Sequence, residues 1–153
     1  MTTHVFRCVR CQAEVTGPVR ETRLPDVDDA PLPFSWPGGA DGEDGEDGSE
    51  ECPPRVGPGV FAVDPPREPR TEGTVRLPAG LVGVVLARAD LRGVGPHPSR
   101  RRRNGCCGLD GCDGPNLVCA TCGTDLATEE SDCWTPQQVT LLPGAVALIP
   151  LAP

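Results

Sequence analysis

Phe6-Arg7-Cys8-Val9-Arg10-Cys11 and, 107 residues further on, Cys119-Ala120-Thr121-Cys122-Gly123 are the two stretches on which the reading of this chain turns. Two residues between cysteines let one tight turn aim both sulfurs at a single ion, while backbone N–H groups of the turn bond to the sulfurs. Two such knuckles together supply four thiolates. The long gap is no objection, because loop closure grows with the logarithm of length and costs only about 1.5 kcal/mol more than a loop of about 20 residues. Structural zinc contributes on the order of 10 to 16 kcal/mol of apparent binding free energy. The spacing therefore predicts a zinc site that ties the two ends of the chain together.

Five further cysteines complete the nine: Cys52, Cys106, Cys107, Cys112 and Cys133. Four of them lie within 28 residues of one another beside the second knuckle, with His97 just upstream. A second zinc is expected from Cys106 and Cys107, or Cys107 alone, with Cys133 and with Cys112 or His97 completing four ligands. A competing partition groups Cys107, Cys112, Cys119 and Cys122, leaving Cys8 and Cys11 to Cys106 and Cys133. Spacing leaves both open. Cys52 closes an acidic stretch before Pro53-Pro54 and is assigned to neither. The arrangement of knuckles resembles a zinc ribbon, in which each pair sits at the end of a β-hairpin.

The surrounding composition fits a small metal-stapled chain. At 153 residues there is room for about one domain. Aromatics are 3%, and 19 Gly with 19 Pro favour loops over a large core. The expected fold class is small, β-rich and irregular: zinc-ribbon-like, with short antiparallel strands and hairpins and a long disordered acidic loop. Val5-Phe6, Gly59 to Val63, and Leu81 to Ala87 read as strands, although the last could equally open a short helix. Val139 to Leu142 and Ala145 to Ile149 flank Pro143-Gly144 and read as a hairpin.

The net charge of −8 is a sum of unlike blocks. Residues 25–54 hold ten acids and no Arg, together with six Pro and five Gly, and read as a solvated linker. The organisation expected is a first strand and knuckle in 1–24, the linker in 25–54, and a β-rich, Cys-rich region in 55–153 that closes one domain with 1–24. An EF-hand loop starting at Asp41 fails, since Glu46 and Cys52 stand where Gly and Glu are required.

All 14 basic residues are Arg, a bias that points to a GC-rich bacterial source. No apolar run spans a membrane and Met1-Thr2-Thr3-His4 opens no signal peptide, so a cytoplasmic protein without membrane contact is expected. Clustered cysteines in that compartment bind metal or do redox work more often than they pair.

The segment from Asn104 to Trp134, with Phe6 to Cys11, resembles an uncharacterised family of Cys-rich bacterial proteins. The matching positions are Cys8, Cys11, Gly105, Cys106, Cys107, Gly108, Asp110, Gly111, Gly114, Pro115, Asn116, Cys119, Cys122, Asp132 and Cys133. The resemblance implies no activity. It does imply that Cys106, Cys107 and Cys133 belong with the knuckles in one constellation, and it does not require Cys112.

The function expected is that of a zinc-stabilised cytosolic binding or adaptor module for a protein partner. Arg100-Arg101-Arg102-Arg103 supplies an alternative, a phosphate-gripping patch for nucleic acid. Against it stand the six acids of residues 104–136, which the guanidinium groups could neutralise within the molecule, and the lack of interleaved aromatics. A thiol and zinc redox sensor at Cys106-Cys107, or a zinc enzyme with His97, Asp110 or Asp132 near an open position, is a weaker reading. Catalytic zinc favours His and carboxylate ligands, and the chain has two His. Asp132 beside Cys133 is expected either to orient a ligand or to cap a turn.

Overall fold

The computed structural model describes residues 1–24, 54–64, 83–133 and 135–153. Most of the acidic linker, Cys52, Leu81-Val82 and Trp134 lie outside the described residues. Among the described residues nine strands form one sheet: β1 (Thr3–Cys8), β2 (Val19–Glu21), β3 (Val60–Asp64), β4 (Gly83–Leu86), β5 (Val94–Pro96), β6 (Leu117–Cys119), β7 (Asp125–Glu130), β8 (Gln138–Leu141) and β9 (Val146–Pro150). Their order across the sheet is β5-β6-β7-β8-β4-β3-β2-β1-β9. The pairs are antiparallel except β2 with β3, which run parallel, a departure from the all-antiparallel expectation.

Two sequence expectations are settled by sheet position. The Leu81 to Ala87 run is strand over Gly83–Leu86, with Val85 and Leu86 buried on opposite faces. A 3-10 turn at Arg88–Asp90 follows it. The expected C-terminal hairpin is corrected: both strands form, yet they do not pair. The turn itself closes, with Ala145 N–H donating to Leu142 O at 3.0 Å. β8, however, has both edges filled, by β4 and β7, and all four of its residues are buried. β9 goes instead to β1, in register from His4↔Pro150 to Cys8↔Val146. Its alternating burial and its proline suit an edge strand.

The sheet curls. Leu91, just ahead of β5, bridges back to Thr16, between β1 and β2, and Arg92 N–H donates to Val15 O at 2.7 Å. The seam is helped by Thr16, whose buried hydroxyl accepts the Phe6 N–H at 3.0 Å. The main core fills the concavity with Phe6, Val15, Val19, Phe61, Leu86, Leu126, Val139 and Leu141. A smaller cluster of Val56, Ala62 and Val85 covers the outer face. Phe61 meets Phe6 edge to face at 5.1 Å between ring centroids. None of the described helical segments is long and apolar enough to cross a membrane.

Phe61→Ala removes the largest fully buried side chain among the described residues, the one that packs on Phe6. Chemical denaturation is expected to show a loss of about 3 to 5 kcal/mol.

Candidate metal centre

The two knuckles are built alike. In the first, Gln12 N–H donates to Cys8 O at 2.8 Å and Cys8 N–H to Ala13 O at 2.9 Å; in the second, Gly123 N–H donates to Cys119 O and Cys119 N–H to Thr124 O, both at 2.8 Å. The residue after the second cysteine takes a left-handed conformation in each, φ 64° at Gln12 and φ 76° at Gly123. That twist turns the chain back on itself so that two sulfurs face one point. Each knuckle caps a chain reversal: β1 returns through the Arg7↔Glu14 bridge, and β6 returns through β7.

Curling of the sheet brings the two tips together. Cys8, Cys11, Cys119 and Cys122 place their sulfurs within 4.8 Å of one another, a group that could hold a metal ion. The closest approaches cross between knuckles, 3.7 Å from Cys8 to Cys122 and 3.5 Å from Cys11 to Cys119. The first cysteine of each knuckle belongs to the core, Cys8 at 0% and Cys119 at 1% exposure, while Cys11 and Cys122 are half-buried. These separations are far beyond the roughly 2.05 Å of a disulfide.

Charge is distributed unevenly over the four. The Thr124 hydroxyl, 3.1 Å from the Cys122 sulfur, and the Thr124 N–H together lower the Cys122 thiol to about 6. The Cys11 thiol is lowered by the Ala13 N–H, but burial and its three thiol neighbours outweigh that and push it up to about 12. Four thiols in one place cannot all ionise without a cation. Thr124 escapes a sequence reading because threonine two residues past a cysteine carries no metal signal.

A second group of Cys106, Cys107 and Cys133 also has its sulfurs within 4.8 Å, and all three side chains are exposed. Its organiser is Asp132, fully buried, whose carboxylate accepts the N–H of Cys106 at 2.7 Å and those of Cys107 and Cys133 at 2.8 Å. Asp132 thus gathers ligands from two segments some 25 residues apart, a larger role than the expected turn cap or neighbour to Cys133. Gly105 and Gly108 make the approach feasible. A Cβ on Gly105 would overlap Gly108 O, and one on Gly108 would overlap Ser131 O. The loop is pinned further by Leu109 O, which accepts the N–H groups of Ser131 and Asp132 at 2.8 and 3.1 Å.

The proposed fourth ligands are not brought in. Cys112 is exposed, and its thiol lies 3.7 Å from Asp110 O, outside both groups. His97 accepts the Ser99 N–H on Nδ1 at 3.0 Å and sets Nε2 3.3 Å from the Asp125 carboxylate. Nor does the competing partition hold, since Cys8 and Cys11 face Cys119 and Cys122, not Cys106 and Cys133. Arg100, Arg101 and Arg103 are exposed, and none of the four arginines is ion-paired with another described residue. Arg102 lies over Gly114, half-buried. Comparisons with protein-family models, curated proteins and solved structures find no match to this chain.

The N–H groups of Cys106 and Cys107 lead in holding the Asp132 carboxyl well below the ordinary carboxylate range. A depressed carboxyl contributes stability that is complete above its unfolded pKa of about 4 and fades as acid titrates the folded form. Between pH 7 and 5, amide exchange at Cys106, Cys107 and Cys133 should therefore gain nothing from Asp132 titration. Asp132→Asn, which puts an NH2 where one of the two oxygens accepted, should raise exchange by about tenfold or more at Cys106, or at Cys107 and Cys133, whichever face that NH2, while the core strands keep their protection. Gly123→Ala is expected to cost about 1 to 2 kcal/mol in a thermal or chemical melt, and Gln12→Gly none, because only the first change places a Cβ in the left-handed region.

Proposed function

We propose that Cys8, Cys11, Cys119 and Cys122 hold a structural zinc ion, and that the chain is a zinc-stapled β-scaffold acting as a small binding or adaptor protein. The observation that supports this most directly is the spacing of the sulfurs. Four ligands about 2.3 Å from a central zinc stand about 3.8 Å apart in a tetrahedron. The cross-knuckle distances of 3.5 and 3.7 Å lie within a few tenths of an ångström of that value. The site closes with protein ligands alone, and two of them are part of the core, as a structural site requires.

Energetics point the same way. A free energy of about 10 to 16 kcal/mol for zinc at such a site rivals the whole stability of an ordinary domain, about 5 to 15 kcal/mol. Zinc joins β1 to β6, strands that are not neighbours in the sheet, so its loss opens the curl. The partner proposed for it is a protein.

Elemental analysis of protein purified without added metal should find zinc. Strong chelation should abolish the cooperative melt and most strand signal in circular dichroism, and Cys119→Ser should do the same without chelator. A chain that keeps its melt and its secondary structure after chelation refutes the staple.

A second reading is favoured by Arg100, Arg101 and Arg103, which are exposed and free of ion pairs among the described residues. They could grip nucleic-acid phosphates. In that case single-stranded RNA should bind with steep salt dependence and be lost when Arg100 to Arg103 become Ala. Binding that survives the change removes this reading.

A further inference from the structure

The two cysteine groups differ in kind. Cys8, Cys11, Cys119 and Cys122 make a closed set of four, half of it inside the core. Cys106, Cys107 and Cys133 make a set of three, and each side chain is exposed. Among the described residues no fourth His, Cys or carboxylate ligand atom joins them. Cys112 turns to Asp110, His97 has both ring nitrogens engaged, and both Asp132 oxygens accept backbone N–H groups.

The three sulfurs are nevertheless deliberately placed. The Asp132 carboxylate holds the N–H of each cysteine, and this fixes the backbone that carries the thiols. Gly105 and Gly108 are the residues that allow so close a fold. Cys106 and Cys107 set their sulfurs 3.9 Å apart, too far for a disulfide and close to the edge of a thiolate polyhedron about an ion. Soft thiolates select zinc or other thiophilic ions over hard ones. Three protein ligands with one position left over is the pattern of a zinc that keeps an exchangeable ligand.

We propose that Cys106, Cys107 and Cys133 form a second, labile zinc site with one open coordination position, completed by a thiol from outside the chain. On binding zinc the three thiols give their protons to solvent and water fills the open position. An incoming thiol loses its proton to solvent, its sulfur bonds to zinc and the water leaves, with no change of oxidation state. Exposure lets a competing ligand reach the ion, and the open position gives it a place to attack. The site therefore exchanges its metal far faster than the four-cysteine site. The inference shares with the preceding proposal only the choice of zinc, and one experiment separates the two.

The full chain is loaded with zinc and mixed with excess colorimetric chelator. Two equivalents are expected, one released at least a hundredfold faster than the other, which stays until denaturant is added. In Cys106→Ser/Cys133→Ser the fast equivalent should disappear while the slow one and the melt remain. With cobalt in place of zinc, a small monothiol should shift the visible bands of the fast-exchanging ion only. A single equivalent that is slow, a fast equivalent that survives in the double variant, or cobalt bands indifferent to the thiol each overturn the labile site. A missing slow equivalent beside a normal fast one instead overturns the structural staple. Should the double variant fail to fold, Cys107→Ala must remove the fast equivalent, and its retention there is equally fatal.

Discussion

Everything in the fold turns on the meeting of two chain reversals that the sheet itself does not join. β1 and β6 are separated in the sheet by β2, β3, β4, β8 and β7, and their ends come together because the sheet curls. The backbone closes that curl weakly, through a bridge at Thr16↔Leu91 and a few flanking hydrogen bonds. The sulfurs of Cys8, Cys11, Cys119 and Cys122 fall at the same closure. The apolar core beside it is small, with Phe61 its largest fully buried member, so a metal ion held there as proposed would supply a large share of the closing free energy.

The two cysteine groups illustrate two ways of holding thiols. At the knuckles the turn does the work: a left-handed residue, two backbone hydrogen bonds and an immediate return. At Cys106, Cys107 and Cys133 a buried carboxylate does it, reaching across from a distant segment to order the N–H groups behind the sulfurs. The first design buries two of its four thiols and half-buries the others. The second displays them.

Local chemistry was readable from the sequence, and long-range pairing was not. The knuckles were legible because C-x-x-C is a local signal with a steric reason, and strands at Val5-Phe6 and Val60 to Val63 because apolar runs persist over a few residues. The pairing of β9 was not, since it depends on β8 having both its edges taken by strands remote in sequence. Nor could spacing choose which cysteines share a site, because that choice is made by curvature. The place of Gly105 and Gly108 became intelligible only through what a side chain there would strike, namely the backbone of Gly108 and Ser131. In the sequence Asp132 is only a neighbour of Cys133; its hold on Cys106 and Cys107 spans a separation no local rule covers.

The parallel pairing of β2 with β3 bears on the acidic stretch between them. Parallel neighbours require the connecting chain to travel back before it re-enters the sheet, and the residues that flank the stretch are fixed to each other, by Thr22 N–H on Phe61 O and by Arg20 N–H on Gly59 O. Residues 1–24 are held to the remainder by β2 on β3 and by β1 along the whole of β9. The first 24 residues are thereby fastened to the rest of the fold by strand pairing as well as by the covalent chain.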